Sequence, residues 1–356
     1  MESLPHDALH HIFSLLPLRQ IIICRCVSKH LHSLLTSPSH SPPLPLLALR
    51  PHHHHLSSSP PSLHVFDPSL RRWLRLPLDF LLPFRSPHPV AASSSGLLFL
   101  WADSPSSSKS LLLCNPLTRL FRPLPPLGSA WSRHGSVLVD SSSSDVMVLT
   151  ELAALYFSPS SPSPSNKWLK FSSNLPSKPR SPILTSHSVF ALCDVGSPWR
   201  SQWKLFCCTI SKLRSSQTWT TLDKPAWGDV FDILKRPRLV KGNAGKILMV
   251  GGLKSSFSLN SVCSTILILR LDLESWEWDE AGRMPVEMFK CFQECSKFKV
   301  FGGGDRVCFS AKRLGKLALW DNVGGKGEWQ WIEGLPGGGD GLCRGFVFEA
   351  RLTPLP

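Results

Sequence analysis

The stretch ILRLDLESWEW, residues 268–278, contains the local pattern that decides the fold. An apolar run ends at Asp272, a short polar segment follows, and Trp278 stands six positions after the aspartate. The side chain of an aspartate or asparagine accepts hydrogen bonds from backbone N–H groups about two residues on, which favours a turn. The pattern therefore predicts a β-hairpin in which the aromatic residue re-enters the sheet.

The same pattern occurs twice more towards the N-terminus. VFDPSLRRW, residues 65–73, has its tryptophan six positions after the aspartate, and LLCNPLTRLF, residues 112–121, has its last phenylalanine six positions after the asparagine. In both stretches a proline follows the polar residue and presets the backbone angle of a turn. These three stretches indicate a repeated hairpin.

Aromatic residues extend this repeat along the chain at intervals of 47 to 59 residues, and most of them precede a Leu–Pro or Met–Pro step. The series is Trp73, Phe121, Trp168, Trp219, Trp278 and Trp331. A period near 50 residues is typical of kelch propellers, and four short strands with their turns fill that length. Six such units account for residues 46–356, so the sequence predicts a mainly β chain with a six-bladed β-propeller.

The two ends of this region predict how the propeller closes. Its first unit, up to residue 76, supplies fewer strands than a full blade, whereas GFVFEARL, residues 345–352, is a strand with no later partner in the sequence. Pairing this C-terminal strand into the first blade would close the ring and remove an exposed edge.

Serine and proline are concentrated between residues 37 and 188, and tracts of these residues bury little apolar surface. We therefore expect Ser/Pro-rich loops within residues 51–62, 102–110, 140–145 and 157–166.

The N-terminal 42 residues differ from the rest. Leu9, Ile12, Phe13 and Leu16 recur at helical spacing, Pro17 ends that helix, and two further short apolar helices follow. Three short helices bury little surface by themselves, so we expect them to complete their core against a partner. The predicted domains are a helical domain at 1–42 and a propeller at 46–356.

The N-terminal segment resembles an F-box through four motifs in order. These are Leu-Pro at 4–5, Ile-Phe-Ser at 12–14, Leu-Pro at 16–17 and Val-Ser-Lys-His at 27–30. Together with the aromatic repeats, they make the chain resemble plant F-box/kelch-repeat proteins.

This chain departs from the family pattern at three places. Ser28 and Leu31 replace the usual cysteine and tryptophan, and the glycine pair of a kelch blade is clear only at Gly251–Gly252.

The resemblance implies the substrate-recognition subunit of an SCF-type cullin ubiquitin ligase. The F-box would dock on a Skp-type adaptor and through it on a cullin scaffold, and the propeller would bind a target protein for ubiquitination. No cofactor or metal is implied. The adaptor-binding residues carried over by position are Leu4, Pro5, Leu9, Ile12, Leu16, Pro17, Ile22 and Val27.

Two other functions compete with this interpretation. Ser28 and Leu31 allow a non-ligase kelch scaffold with a degenerate F-box. The net charge of +14, of which residues 46–240 carry +11, allows a nucleic-acid-binding protein, although the chain has no block of five like charges.

Catalytic and membrane functions find no support in the sequence. Tyr156 is the only tyrosine, which excludes the two-tyrosine copper site of a radical oxidase and disfavours a sialidase-like site, and no hydrolase or P-loop motif occurs. We expect no metal at His52–His55, which lie in a Ser/Pro-rich loop. No apolar run is long enough for a membrane helix, no secretory signal is recognisable, and the 11 cysteines show no C-x-x-C pair. We therefore expect a protein with reduced thiols in the cytoplasm and/or nucleus.

Overall fold

A computed structural model describes residues 4–35, 44–50, 61–82, 84–103, 109–127, 134–140, 143–159, 167–254, 263–293, 295, 298–322, 324–336 and 342–356. Most of the predicted Ser/Pro-rich loops within 51–62, 102–110 and 157–166, as well as His52–His55, lies outside these residues, and so do residues 141–142 of the loop predicted within 140–145.

The described residues contain five α-helices and 24 strands. The helices are α1 (His6–Ser14), α2 (Leu18–Val27), α3 (Lys29–Leu35), α4 (Ile210–Ser215) and α5 (Val286–Gln293). The strands are β1 (Leu44–Leu49), β2 (Ser62–Asp67), β3 (Arg72–Pro77), β4 (Arg85–Ala92), β5 (Leu98–Asp103), β6 (Lys109–Asn115), β7 (Leu120–Pro123), β8 (Ser136–Val139), β9 (Val146–Leu149), β10 (Ala153–Phe157), β11 (Leu169–Ser172), β12 (Arg180–Leu184), β13 (Ser188–Asp194), β14 (Trp203–Thr209), β15 (Thr220–Leu222), β16 (Leu234–Lys241), β17 (Lys246–Lys254), β18 (Cys263–Asp272), β19 (Trp278–Arg283), β20 (Phe298–Gly303), β21 (Arg306–Ala311), β22 (Leu317–Asp321), β23 (Glu328–Ile332) and β24 (Gly345–Ala350).

The strands form six four-stranded sheets, the blades of the predicted propeller fold. Five sheets use four consecutive strands, in the orders β4-β5-β6-β7, β8-β9-β10-β11, β12-β13-β14-β15, β16-β17-β18-β19 and β20-β21-β22-β23. The remaining sheet has the order β24-β1-β2-β3. The C-terminal strand thus takes the first position of the first blade, which confirms the predicted closure.

Two compact units divide the chain, one comprising Met1–Pro126 with Val347–Pro356 and the other Leu127–Phe346. The first unit holds helices α1–α3 and the sheets of β1–β7. The second unit holds the other four sheets, and its cores lie between the faces of consecutive sheets. Between its last two sheets, Phe309 and Trp320 are almost fully buried, and α5 adds Phe289 and Phe292. Each such side chain contributes about 1.5–3 kcal/mol through burial.

The three hairpins predicted from the Asp/Asn pattern are present, and they join β2 to β3, β6 to β7 and β18 to β19. In each hairpin the polar side chain accepts a hydrogen bond from the backbone N–H two residues on. The pairs are Asp67 Oδ1 with Ser69 N (2.9 Å), Asn115 Oδ1 with Leu117 N (3.0 Å) and Asp272 Oδ1 with Glu274 N (2.8 Å).

The residue four positions after the acceptor has a positive φ in all three hairpins: Arg71 (50°), Arg119 (63°) and Trp276 (59°). The pattern fails in the fourth blade because helix α4 follows β14 before the chain reaches β15. The connection from the end of β14 to Trp219 is therefore longer than in the other hairpins, and the six-residue spacing does not reveal this hairpin.

The six aromatic residues of the repeat lie in the last strand of their blades or directly before it. Five of them contact another aromatic ring; for example, the ring centroids of Phe66 and Trp73 are 5.2 Å apart, and those of Phe292 and Trp331 are 6.2 Å apart. The sixth, Trp219, packs against the core between the third and fourth blades. The repeat therefore marks one packing position per blade.

Asn115 links the turn between β6 and β7 to the C-terminal segment. Its side chain is fully buried, and its Nδ2 donates hydrogen bonds to the carbonyl oxygens of Arg351 and Pro354, each at 3.1 Å. Leu352, between these two residues, packs with Phe13 and other side chains of the helices. One amide thus holds the segment on which the N-terminal helices rest.

The described α-helices have ten residues or fewer. None of the helices in the described ranges is long and apolar enough to cross a membrane.

We predict that Asn115→Asp lowers the free energy of unfolding by about 3 kcal/mol in urea titrations. The carboxylate of this variant still accepts the hydrogen bond of the turn. It has no N–H groups to donate, however, and it faces the two carbonyl oxygens of the C-terminal segment. The matched control is Asp272→Asn. Its side-chain oxygen still accepts the hydrogen bond of the turn, and the hydrogen bonds of Oδ1 at this position stay within the turn. We expect it to cost about 0.5 kcal/mol or less. Equal losses in the two variants would contradict the role of Asn115 beyond its own turn.

Candidate functional site

The N-terminal helices bury one set of apolar side chains against the C-terminal segment of the first unit. Phe13, Ile21 and Leu35 are buried together with Leu352, and Leu9 packs against them. Their positions follow from helical periodicity, because residues three or four apart lie on the same face. This cluster, which we call the inner cluster, fixes the helices on the C-terminal segment.

A second set of apolar side chains, on the first two helices or directly beside the ends of α1, faces solvent. We call it the exposed apolar set: Leu4 (54% exposed), Ile12 (43%), Leu15 (71%), Ile23 (50%) and Val27 (69%). Ile12 and Leu15 are three residues apart, and Ile23 and Val27 are four apart on α2, so the members of each pair are neighbours on one helix surface. Exposed apolar side chains gathered on two short helices are typical of a protein-binding surface.

The structure divides the eight residues predicted to bind an adaptor into three groups. Leu4, Pro5, Ile12 and Val27 are exposed, Pro17 and Ile22 are half-buried, and Leu9 and Leu16 pack against the inner cluster. Their role in adaptor binding stays a prediction. Sequence reasoning missed Leu15 and Ile23, although the spacing of Leu15 from Ile12 was a signal that could have found it.

Ser28, one of the two departures from the F-box pattern, has a local structural role. Its backbone is extended (φ −153°, ψ 156°) and ends α2, and its Oγ accepts a hydrogen bond from the backbone N–H of Leu31 at 3.1 Å. This is the geometry of an N-terminal cap for α3. The serine therefore stabilises the third helix.

Leu31, the other departure, packs against the inner cluster. A further contact between helices comes from Arg25, whose Nε donates to Nδ1 of His32 at 3.3 Å and links α2 to α3. The third helix is thus held by apolar and polar contacts.

Tryptophans outside the repeat fall in different environments. Trp101 and Trp227 are buried, and Trp203 is half-buried. Trp199, in the loop between β13 and β14, is 95% exposed. A fully exposed tryptophan on a propeller loop is a candidate contact for a protein partner.

The single tyrosine is buried, and its hydroxyl donates to Asp145 Oδ2 at 2.6 Å. Burial and this carboxylate raise the pKa of Tyr156 above its ordinary value. Among the residues that the structure describes, no group of three or more His, Cys, Asp or Glu side chains is placed to hold a metal ion.

Comparisons with known proteins agree with this arrangement. The sequence profile of the F-box domain matches residues 1–40, and that of the KIB1-4 β-propeller matches residues 65–299. SKP1-interacting partner 15 of Arabidopsis thaliana is 64% identical over 100% of this chain and 99% of its own length. The chain belongs to the family of F-box proteins that carry a β-propeller.

Two further Arabidopsis thaliana relatives match this F-box protein over most of their length. An F-box/kelch-repeat protein is 29% identical over 94% of this chain and 82% of its own length. Protein UNUSUAL FLORAL ORGANS is 25% identical over 99% of this chain and 85% of its own. The predicted combination of F-box and propeller is confirmed. The kelch type appears in the name of the first of these relatives, whereas the matching propeller profile is that of KIB1-4.

We predict that Ser28→Ala lowers the free energy of unfolding of the helical segment by about 1 kcal/mol, because the N–H of Leu31 loses its capping acceptor. Hydrogen exchange at α3 measures this loss. Ser28→Asp, which restores a capping acceptor, should return protection to about the wild-type level. Equal exchange in all three proteins would show that the cap contributes nothing.

Proposed function

We propose that this F-box protein is the substrate-recognition subunit of an SCF-type cullin ubiquitin ligase. The exposed apolar set carries the proposal, since the helices place these side chains in solvent while the inner cluster anchors them. A Skp-type adaptor would cover this surface and link the protein to a cullin scaffold. The name of the 64%-identical relative, SKP1-interacting partner 15, supports the same partner.

The free energy available from burying the exposed apolar set is large enough for a stable complex. Fully burying one large apolar side chain contributes about 1.5–3 kcal/mol. Burying most of Leu15 and Val27, and part of the other three residues, supplies several kcal/mol towards binding. Short helices that offer an apolar face are recognised by a hydrophobic groove. The proposed contact is therefore helical and mainly apolar.

The propeller would bind the protein that is to be ubiquitinated. Its sheets hold the connecting loops rigidly, and loops on such a scaffold are the usual place for recognition. The proposed role is non-catalytic and uses no cofactor, because ubiquitin transfer would belong to other subunits. We propose the cytoplasm and/or nucleus as its compartment.

A degenerate F-box without a ligase is the competing function. It was suggested by Ser28 and Leu31, but the cap of α3 and the packing of Leu31 give both residues a place in a folded F-box. These contacts favour an F-box that retains its structure.

We predict that Ile12→Asp/Leu15→Asp weakens binding to a Skp-type adaptor at least about a hundredfold, because two apolar contacts are replaced by carboxylates that lose water at the interface. Co-purification and titration with the isolated adaptor measure the change. Leu82→Asp/Leu152→Asp is the matched control, since these leucines are 75% and 73% exposed and lie outside the helices. It should bind like the wild type.

Thermal unfolding must show that both double variants fold. Unchanged binding by the folded Ile12/Leu15 variant would place the adaptor elsewhere. A folded wild-type protein that does not bind the adaptor would refute the ligase function and favour the scaffold.

A further inference from the structure

Three first strands of the blades carry the same pattern at or one residue after their start: a basic residue, a second residue and a proline. The pattern covers residues 85–87 at β4, 180–182 at β12 and 235–237 at β16. In each, the middle residue has a positive φ: Ser86 (49°), Ser181 (45°) and Arg236 (52°). The register with the second strand of the blade shifts at each of these places. A bulge of this kind re-aims side chains, and bulges recur at functional sites.

In the second unit these strand starts bring arginines together. Strand β12 packs beside β16, which places Arg180 near Arg236 and Arg238. Arg344, directly before β24, lies close enough for its charge to act on Arg238, and the carbonyl oxygen of its neighbour Cys343 accepts a hydrogen bond from Ser310 Oγ at 2.7 Å, which anchors that segment. We call Arg180, Arg236, Arg238 and Arg344 the arginine cluster.

The cluster concentrates positive charge, and among the described residues it forms no ion pair. Within the described part of the chain, no carboxylate oxygen lies within 4.0 Å of its four guanidinium groups. Burial and the charges of the other three arginines lower the pKa of Arg238 to about 10. Like charges held together, two of them half-buried, cost folding free energy, which points to a site that an anion completes.

The carboxylate of Asp194 attracts Arg180 electrostatically, but it also accepts hydrogen bonds within its own loop. Its Oδ1 accepts hydrogen bonds from the backbone N–H groups of Gly196 (3.1 Å) and Gln202 (2.9 Å). The aspartate therefore shapes its loop and leaves most of the cluster's charge available to a ligand.

The neighbouring loop supplies an apolar contact. Trp203 lies under the guanidinium of Arg180, with 5.1 Å between its ring centroid and Cζ, and this stacking orients the arginine. The strand register places the β13–β14 loop at the same end of the blade as Arg180. This loop carries the exposed Trp199.

We propose that the arginine cluster binds an acidic segment of the captured protein, with its carboxylates on the guanidiniums and an adjacent apolar side chain against Trp199. This inference rests on the proposed function of the propeller as substrate receptor. Guanidinium groups pair bidentately with carboxylates. The charge is confined to neighbouring strand ends, and two of its four arginines are half-buried. That favours a short acidic peptide over a nucleic acid, which needs a basic groove that follows its backbone.

The test uses the full chain and a fluorescein-labelled ten-residue peptide of alternating glutamate and leucine, followed by fluorescence anisotropy. We expect binding of this peptide and none of the peptide with glutamine in place of glutamate. Arg180→Gln/Arg238→Gln should weaken binding at least about tenfold. The matched control, Lys312→Gln/Arg313→Gln, removes the same charge from exposed residues after β21 and should bind like the wild type.

Several results would overturn the proposal. These are equal weakening in the control pair, tight binding of the glutamine peptide, or no binding of the glutamate peptide by the folded wild type. So would a single-stranded oligonucleotide that binds more tightly than the peptide and is lost in the Arg180/Arg238 variant, since that would identify a nucleic-acid site. If that variant fails to fold, Arg236→Gln/Arg344→Gln replaces it, because both arginines are exposed.

Adaptor binding separates this proposal from the proposed function. The arginine variants should still bind the Skp-type adaptor, and Ile12→Asp/Leu15→Asp should still bind the peptide. Loss of both activities in either variant would contradict two independent sites.

Discussion

Pairing of β24 with β1 fills the strand position that the N-terminal part of the chain leaves empty in the first blade. Without it, β1 would expose a row of unpaired backbone groups, which is an aggregation hazard. The same C-terminal segment then passes beneath the helices, where Leu352 enters the inner cluster and Asn115 bonds the flanking carbonyls. The last residues of the chain thus connect the first blade with the F-box, and both depend on the segment staying in place.

The F-box illustrates how a small helical module divides its apolar residues. Phe13, Ile21 and Leu35 attach it to the C-terminal segment of the first unit, while the exposed apolar set stays in solvent. A module this short cannot bury both sets within itself, because its surface is large relative to its volume. Attachment to the blades and recruitment of a partner therefore use different faces of the same helices. This division lets the module keep its fold before the proposed adaptor arrives.

The arginine cluster shows the opposite balance between stability and function. Its residues repel each other in the free protein, and the bulges at the strand starts hold them together nonetheless. Natural proteins tolerate such local conflict where a ligand resolves it. The Asp/Asn hairpin turns, by contrast, satisfy their polar groups internally and serve the fold alone.

Sequence alone determined the F-box motifs, the six-blade repeat and the closing strand, because an Asp/Asn turn and one aromatic packing position per blade act over short distances and leave a periodic record. It did not separate Leu16, which packs inward, from Leu15, which faces solvent, since that choice depends on where the C-terminal segment meets the helices. Nor did it reveal the arginine cluster, whose members are up to 164 positions apart in the chain. Only the tertiary structure decided these features, because packing between distant strands sets which side chains become neighbours.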